Sequence, residues 1–507
     1  MVDSTHSNLV RRRQFALGKA ACPEFIDPVL TAIGDQWIVT SHRELEVTQV
    51  TEADRSITLI GFALDGGQPA ASNHDLLQQL LAHGGPISGL IAQTSNWGGR
   101  WAVIAHSSDS SLIWNDATAQ RPVYYALPAF GQPGDGLVCA AEPGLLAHSH
   151  KFQKSAAAVD FVRSREVSDF EVYWMPGDVT VYDEVRALLP NHCLDLRSGE
   201  VRRFWPTSAV APVDYDTAVA ESVRLLRGQL EAAQLRFKLS ISMTAGWDSR
   251  MMLALCKPAV GDLHAFTLAY PNQPRDTRDV AVPARLLARL GMRHDIYDYP
   301  RVIDESLRDI FRSNNDSVAR SYCADTQAMF EQHPVERVCV TGDVAEIVKC
   351  HWRLPGRTDS DVTAEDLMGL LKIGNHPFLL GAMQRWLQQA GTPPISLLDL
   401  FCWEQMAGRW QSQIRAEYDL AQDSFAPLNC RSLLVLMLGV AEDKRRSPEF
   451  VFFRDVIKAL WPETLAEPIN PPEVQSLARR LRHAVAKSGI TQVIPRSVKD
   501  AIKRRRG

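Results

Sequence analysis

No stretch of this sequence is apolar enough, over ~18 residues, to cross a bilayer. There is no C-x-x-C pair, and the nine cysteines are an odd number. That pattern excludes a disulfide framework and a cysteine zinc site. It leads us to expect reduced thiols in a cytoplasmic protein. Charge of one sign is also lacking, because the formal net charge is only -4. Nothing therefore drives the chain toward nucleic acid or an acidic membrane surface. No internal repeat or low-complexity tract is present. "RRRQFALGKAACPEFID" starts like a twin-arginine export signal, but Lys19, Pro23, Glu24 and Asp27 interrupt the apolar segment such a signal needs. His148 and His150 have no third ligand nearby, so they do not read as a metal site.

What is present is a soluble composition, 45% apolar and 22% charged, over 507 residues. That length calls for two or three domains. Residues 1–205 read as mostly β. "QWIVTSHRELEVTQV" and "SITLIGFAL" are apolar-rich runs, and "GRWAVIAHSSDSSLIWND" has the pattern of a hairpin. "HDLLQQLLAH" is an amphipathic helical stretch among them. A sandwich or layered sheet domain is expected. Residues 206–217, rich in Pro, Ser and Ala, are the candidate linker. From 218 to 507 the texture changes. "AVAESVRLLRGQLEAAQ" is a helix, "FKLSISM" a strand, "SRMMLALCK" a helix and "LHAFTLAY" a strand. "DVAVPARLLARLG" is a helix, and "RHDIYDY" and "ERVCVTGD" are strands. Alternation of this kind predicts a parallel sheet with helices on both faces. Beyond about residue 350 the chain reads as mainly helical.

The stretch "SMTAGWDSR" (242–250) joins a buried strand to a helix. Ligands of open parallel sheets bind at the carboxyl ends of strands. Unpaired N–H groups at a helix start suit phosphate. Gly246 allows close approach of the backbone, and Thr244 and Ser249 offer hydroxyls. Asp248 repels phosphate unless a cation intervenes, which points to Mg²⁺. Gly-Lys-Ser/Thr is missing, so this is no Walker A loop. Asp248 and Ser249 also suit an ordinary helix N-cap. "VCVTGDVAEIV" (338–348) is a second strand and turn, carrying Gly342, Asp343 and Glu346. If the two strands are neighbours, Asp248 and Glu346 can share one Mg²⁺.

Taken together these segments resemble the asparagine synthetases and their relatives, the β-lactam synthetases and lasso-peptide cyclases. Thr244-Ala245-Gly246-Trp247-Asp248-Ser249 stands where that family has S-G-G-x-D-S. Asp279, Ala284-Arg285, Ala288, Leu290-Gly291 and His294 follow in the family's order. Thr341-Gly342-Asp343-Val344-Ala345-Glu346 stands at its S-G-x-G-A-D. "GGRWAVIAH", "WNDATAQRPVYY", "AEPGLL" and "LPNHCLDLRSGEVRRFWP" resemble its amidotransferase-like domain. The resemblance covers residues 50 to 350, and more loosely the helical remainder.

The fold implied is α/β. It has an N-terminal layered amidotransferase-like (Ntn-type) β-rich domain and a C-terminal parallel-sheet ATP-pyrophosphatase-type domain with a helical extension. By the same resemblance, Thr244, Gly246 and Ser249 would hold the pyrophosphate of ATP. Gly342 and the backbone at Ser242 and Thr267 would border the adenine. Asp248 and Glu346 would bind Mg²⁺, and Asp343 would orient or deprotonate an attacking amine. The implied activity is ATP-dependent amide formation through an adenylate, releasing AMP and pyrophosphate. Its setting would be natural-product or peptide macrolactam biosynthesis, with a small-molecule or peptide substrate and a precursor peptide and protease as company. Two rivals stand beside it. One is an asparagine synthetase-like enzyme using glutamine or ammonia. The other is an inactive relative that binds a nucleotide or peptide.

Two features depart from the family. Met1-Val2-Asp3 offers no cysteine nucleophile, and Cys22 is expected to be buried. This implies that the N-terminal domain is a scaffold. No lysine follows the Leu-x-Pro-like feature in "ALWPETLAEPINPPEVQ", where relatives place one to stabilise the acyl-adenylate. Lys458, Lys487 and Lys499 are the substitutes at hand, each also suited to a solvated surface. The basic tail "VIPRSVKDAIKRRRG" also reads as solvated. Arg409-Trp410 and Trp403-Glu404 read as helix packing.

Overall fold

The structure is a computed structural model that describes residues 4–126, 137–165, 174–270, 275–316, 322–334 and 336–472. Lys487, Lys499 and the basic tail lie outside these residues.

Alternating apolar residues build the N-terminal sheets. The strands are β1 (Phe15–Gly18), β2 (Val29–Ile33), β3 (Trp37–Ser41), β4 (Val47–Glu52), β5 (Arg55–Asp65) and β6 (Trp97–His106). They continue with β7 (Ser111–Asn115), β8 (Tyr124–Ala126), β9 (Leu137–Ala140), β10 (Val185–Ala187), β11 (His192–Asp195) and β12 (Val201–Arg203). Two antiparallel sheets result, in the orders β10-β8-β9-β1-β3-β2 and β12-β11-β7-β6-β5-β4. The period of two sends successive side chains to opposite faces. Ile60 and Ile104 point into the sandwich, against Phe15, Leu17 and Val39 of the first sheet. Their neighbours Leu59 and Val103 point outward. There they meet Leu76, Leu77 and Leu80 of α1 (Asn73–Ala82) and Leu90 of α2 (Ile87–Gln93).

The outer face of the first sheet is covered differently. Leu145 and Leu146 of α3 (Pro143–His150) and Phe161 of α4 (Ala156–Arg165) lie on it. So do Leu367, Leu379, Trp386 and Phe401, from helices Ala364–Leu371, Pro377–Ala390 and Leu397–Phe401. The C-terminal helical extension therefore supplies part of a layer to the N-terminal β structure.

Past cis Trp205–Pro206, α5 runs from Tyr215 to Arg236, capped by Asp214. The helix begins three residues earlier than 218, because the Asp214 carboxylate accepts the N–H of Thr217. The strands β13 (Lys238–Ser242), β14 (His264–Ala269), β15 (His294–Asp298), β16 (Arg337–Val340) and β17 (Ser424–Phe425) form a sheet in the order β15-β14-β13-β16-β17. Every pairing in it is parallel. The crossovers include α6 (Trp247–Leu255) and α7 (Arg278–Arg289). The protein is thus α/β, with antiparallel β layers first and a parallel sheet with a helical extension second. Among the described residues, no helix is long and apolar enough to cross a membrane.

Buried charge joins the halves. The Arg100 guanidinium, fully buried in β6, pairs with Asp419 and Asp423. Burial opposes its charge, yet the two carboxylates hold its pKa above the ordinary value. Arg121 reaches the same Asp419 at 3.4 Å. The arginine triplet before β1 belongs to this junction. Arg12 donates to the carbonyl of Leu420 at 2.7 Å and Arg13 to that of Asp419 at 2.6 Å. Both also pair with Glu44. Trp403 and Arg409 pack across the same boundary, donating to the carbonyls of Ala117 and of Met175 and Val179.

Candidate functional site

β13 and β16 are hydrogen-bonded neighbours, with Ile241 opposite Val340. Their carboxyl ends therefore deliver the 242–250 loop and the 341–349 turn to one place. Closeness there depends on Gly342. A methyl group at this residue would stand 2.6 Å from Cβ of Asp248 and 2.9 Å from its carbonyl carbon. Real side chains do not tolerate that contact, so glycine is what lets the turn lie against the start of α6.

The loop is closed by its own side chains. The N-cap of α6 is Gly246, with no side-chain cap. Asp248 and Ser249 therefore lie inside the first turn and are not the cap. Ser249 Oγ lies 3.1 Å from Thr244 Oγ1 and donates to the Thr244 carbonyl at 3.1 Å. Thr244 Oγ1 accepts the N–H of Gly246 at 3.2 Å. Ala245 N–H donates to Asp279 of α7 at 3.1 Å. The first N–H groups of α6 have no cap of this kind, and they carry the positive end of the helix dipole. Thr244 is exposed and Gly246 half-buried, so this rim of the loop is open. Ser242 is half-buried at the end of β13. Thr267 is buried, and its hydroxyl donates to the Met243 carbonyl and meets His294 Nε2, both at 2.8 Å.

A strap from the far end of the described chain braces the loop. Arg250, buried in α6, donates to the carbonyls of Thr464 and Glu467 at 2.7 Å and of Pro468 at 3.3 Å. Glu467 pairs with Arg285 and Arg289 of α7, each at 2.9 Å. Asn470 N–H donates to the Ala245 carbonyl at 2.9 Å. The Leu-x-Pro-like segment therefore lies along the loop. Lys458, just upstream, is exposed on the helix Val451–Leu460.

The carboxylates meet through a residue that sequence reasoning missed. Lys349 Nζ lies 2.7 Å from both carboxylate oxygens of Asp248 and 3.4 Å from Glu346 Oε1. Burial works against the ammonium, but Glu346 and Asp248 raise its pKa above the ordinary lysine value. Burial pushes the Asp248 carboxyl up, to about 6, against the pull of Lys349. Burial alone would raise Glu346 too, yet Lys349 and the Gln411 amide hold it below the usual value. Gln411 closes a helix of widened π type, Cys402–Gln411. It donates to Glu346 Oε2 at 2.9 Å and accepts the N–H of Val344 at 2.8 Å. Spacing did hold a signal for Lys349, which sits three residues after Glu346 in the same turn.

These residues fit a divalent ion poorly. Mg²⁺ wants a near-octahedral shell of oxygens. Here an ammonium already bridges the two carboxylates expected to hold it. Among the described residues, no group of three or more His, Cys, Asp or Glu could hold a metal ion. Asp343, expected to orient or deprotonate an amine, is already engaged. Its Oδ2 accepts from Thr341 Oγ1 at 2.9 Å and pairs with Arg415 Nε at 3.0 Å. An oxygen so engaged is better placed to orient a partner than to take its proton.

The N-terminal domain presents no thiol at the start of β1. Gln14 stands there and donates to the carbonyl of Asn314 at 2.6 Å. Cys22 is buried, and burial raises its pKa. His148 pairs with Glu24 and His150 stacks on Phe152.

No protein-family model and no curated protein matches this chain. Solved structures resemble it weakly. One is a glutamine-dependent NAD+ synthetase from Acinetobacter baumannii in complex with ADP. It is 14% identical, with 49% of this chain and 52% of that one covered and a TM-score of 0.21. This chain thus spans about half of that enzyme's length. An NH3-dependent NAD synthetase from Campylobacter jejuni is 12% identical, over 35% of this chain and 95% of that one, with a TM-score of 0.21. A glutamine phosphoribosylpyrophosphate amidotransferase from B. subtilis, complexed with ADP and GMP, is 11% identical, over 73% and 75%, again with a TM-score of 0.21. No family follows from scores of this size.

Proposed function

We propose that this protein is an ATP-dependent, amide-forming ligase that adenylates a substrate carboxylate. The observation that carries this reading is the meeting of Asp248, Gly342 and Glu346 at the carboxyl ends of two adjacent parallel strands. In this reading, Thr244, Gly246, Ser249 and the first N–H groups of α6 receive the pyrophosphate. Ser242, Thr267 and Gly342 border the adenine. The carboxylate attacks the α-phosphate, pyrophosphate leaves, and an amine oriented by Asp343 displaces AMP. Positioning and charge neutralisation carry most of the rate. Because the carboxylate pair already holds Lys349, no step is assigned to Mg²⁺. The N-terminal domain acts as scaffold. The amine then comes from the substrate itself, as in macrolactam closure of a peptide, with a precursor peptide and a protease as partners.

ATP–pyrophosphate exchange, stimulated by candidate carboxylic acids and peptides, tests this. We expect exchange in the wild type and at least a hundredfold loss in Asp248→Asn. Equal rates in the two proteins, or no exchange together with no ATP binding, sink the ligase. A second reading, a nucleotide-binding relative without chemistry, draws support from Lys349 between the carboxylates and from the Ala245 N–H already given to Asp279. ATP binding without exchange would favour it.

A further inference from the structure

The turn that carries Lys349 is held in place from both sides. It is a short 3₁₀ segment, Ala345–Lys349, flanked by Val344 at φ +78° and Cys350 at φ +51°. Both flanking residues are in the left-handed region, which a β-branched valine seldom enters. Gln411 pins the amino end through the Val344 N–H and pins Glu346 through its carboxylate. The Lys349 side chain is only 10% exposed, and its ammonium sits 6.0 Å from the Phe453 ring centre. An ammonium so placed is not a surface charge that drifted inward. Removing it would leave two partly buried carboxylates facing each other without a cation between them.

We propose that Lys349 is the resident cation of this site. Its ammonium takes the position between Asp248 and Glu346 that a divalent ion would take. A nucleoside triphosphate then binds with no metal on these two carboxylates. Lys349 thereby becomes a positioning residue that fixes Asp248 against Gly342 and neutralises the carboxylates facing the phosphates. The nucleotide part of this rests on the ligase reading. The cation part does not.

Mn²⁺, read by electron paramagnetic resonance on the nucleotide-free full chain, tests it. Wild type is expected to show no stoichiometric site. Lys349→Ser is expected to gain one, and Lys349→Ser/Asp248→Asn to lose it. The same gain should appear as a melting temperature that rises by several degrees with Mn²⁺ in Lys349→Ser and does not move in wild type. A stoichiometric wild-type site abolished by Asp248→Asn would overturn the proposal, and so would a Lys349→Ser protein that gains none. If Lys349→Ser fails to fold, refolding restored by Mn²⁺ supports the proposal and no restoration counts against it. ATP binding is then measured in wild type with excess chelator. A Kd within about threefold of the Mg²⁺ value is expected, and a loss above tenfold overturns the nucleotide part. Failure of ATP to bind under either condition removes the ligase reading and leaves the Mn²⁺ result standing.

Discussion

Single positions decide the shape of the candidate site. Gly342→Ala must push its methyl into Asp248 or move the turn. We expect a loss of about 1–3 kcal/mol, as for other overpacked sites, and exchange activity that falls with it. Urea denaturation and the exchange assay check this. Val344 holds φ +78° while its side chain is fully buried in the core. Relief of strain by glycine is outweighed by the loss of the buried isopropyl group and the added chain entropy of glycine. Val344→Gly should therefore lose about 1–3 kcal/mol in denaturant unfolding. Glu142 gives a pH signature. Burial, reinforced by Asp316, raises its carboxyl to about 8. Between the ordinary carboxyl range and pH 8, the folded chain keeps a proton that the unfolded chain releases. Stability therefore falls as pH rises through that window and levels off above it. Glu142→Gln should flatten the decline, gaining on the order of 1–3 kcal/mol over wild type at pH 8 and little at pH 5. Melting curves at the two values suffice. At this scale the sequence was partly legible. Asp248, Gly342 and Glu346 stand out by type and spacing. Lys349 offered only its i+3 spacing from Glu346, because its direction depends on two left-handed residues that no periodicity reports.

The elements of the parallel sheet were readable because each strand is an apolar run bounded by helix periodicity. β17 was not, since two residues carry no pattern of their own and pair only because β16 offers an edge. The helices between 364 and 401 show an apolar stripe, but a stripe names a face and not its partner. Their place on the N-terminal sheet is set by tertiary packing. The strap along the loop was legible as a segment but not as a brace. Arg250→Met should release it, stranding the carbonyls of Thr464, Glu467 and Pro468. We expect a loss of about 2–4 kcal/mol, from several charge-assisted bonds at about 1.5–3 kcal/mol each. New cleavage near residues 464–470 in limited proteolysis would accompany it.

The two halves share both a hydrophobic layer and a buried charge cluster, and the linker between them does not make them independent. Calorimetry should show one cooperative transition, and two resolved transitions would refute that coupling. Asp419→Ala leaves Arg100 and Arg121 buried without their common carboxylate. It should cost about 3–5 kcal/mol and lower the whole transition, not one half of it. The arginine triplet adds a consequence for synthesis. Arg12 and Arg13 settle against carbonyls 408 and 406 residues further along the chain. The first strand emerges from the ribosome long before its anchor exists. At translation rates of about 5–20 residues per second, its sheet partners are all made by residue 187, while the arginines wait tens of seconds longer for their acceptors. During synthesis the arginines beside the first strand therefore stay without their buried partners until the C-terminal half is made.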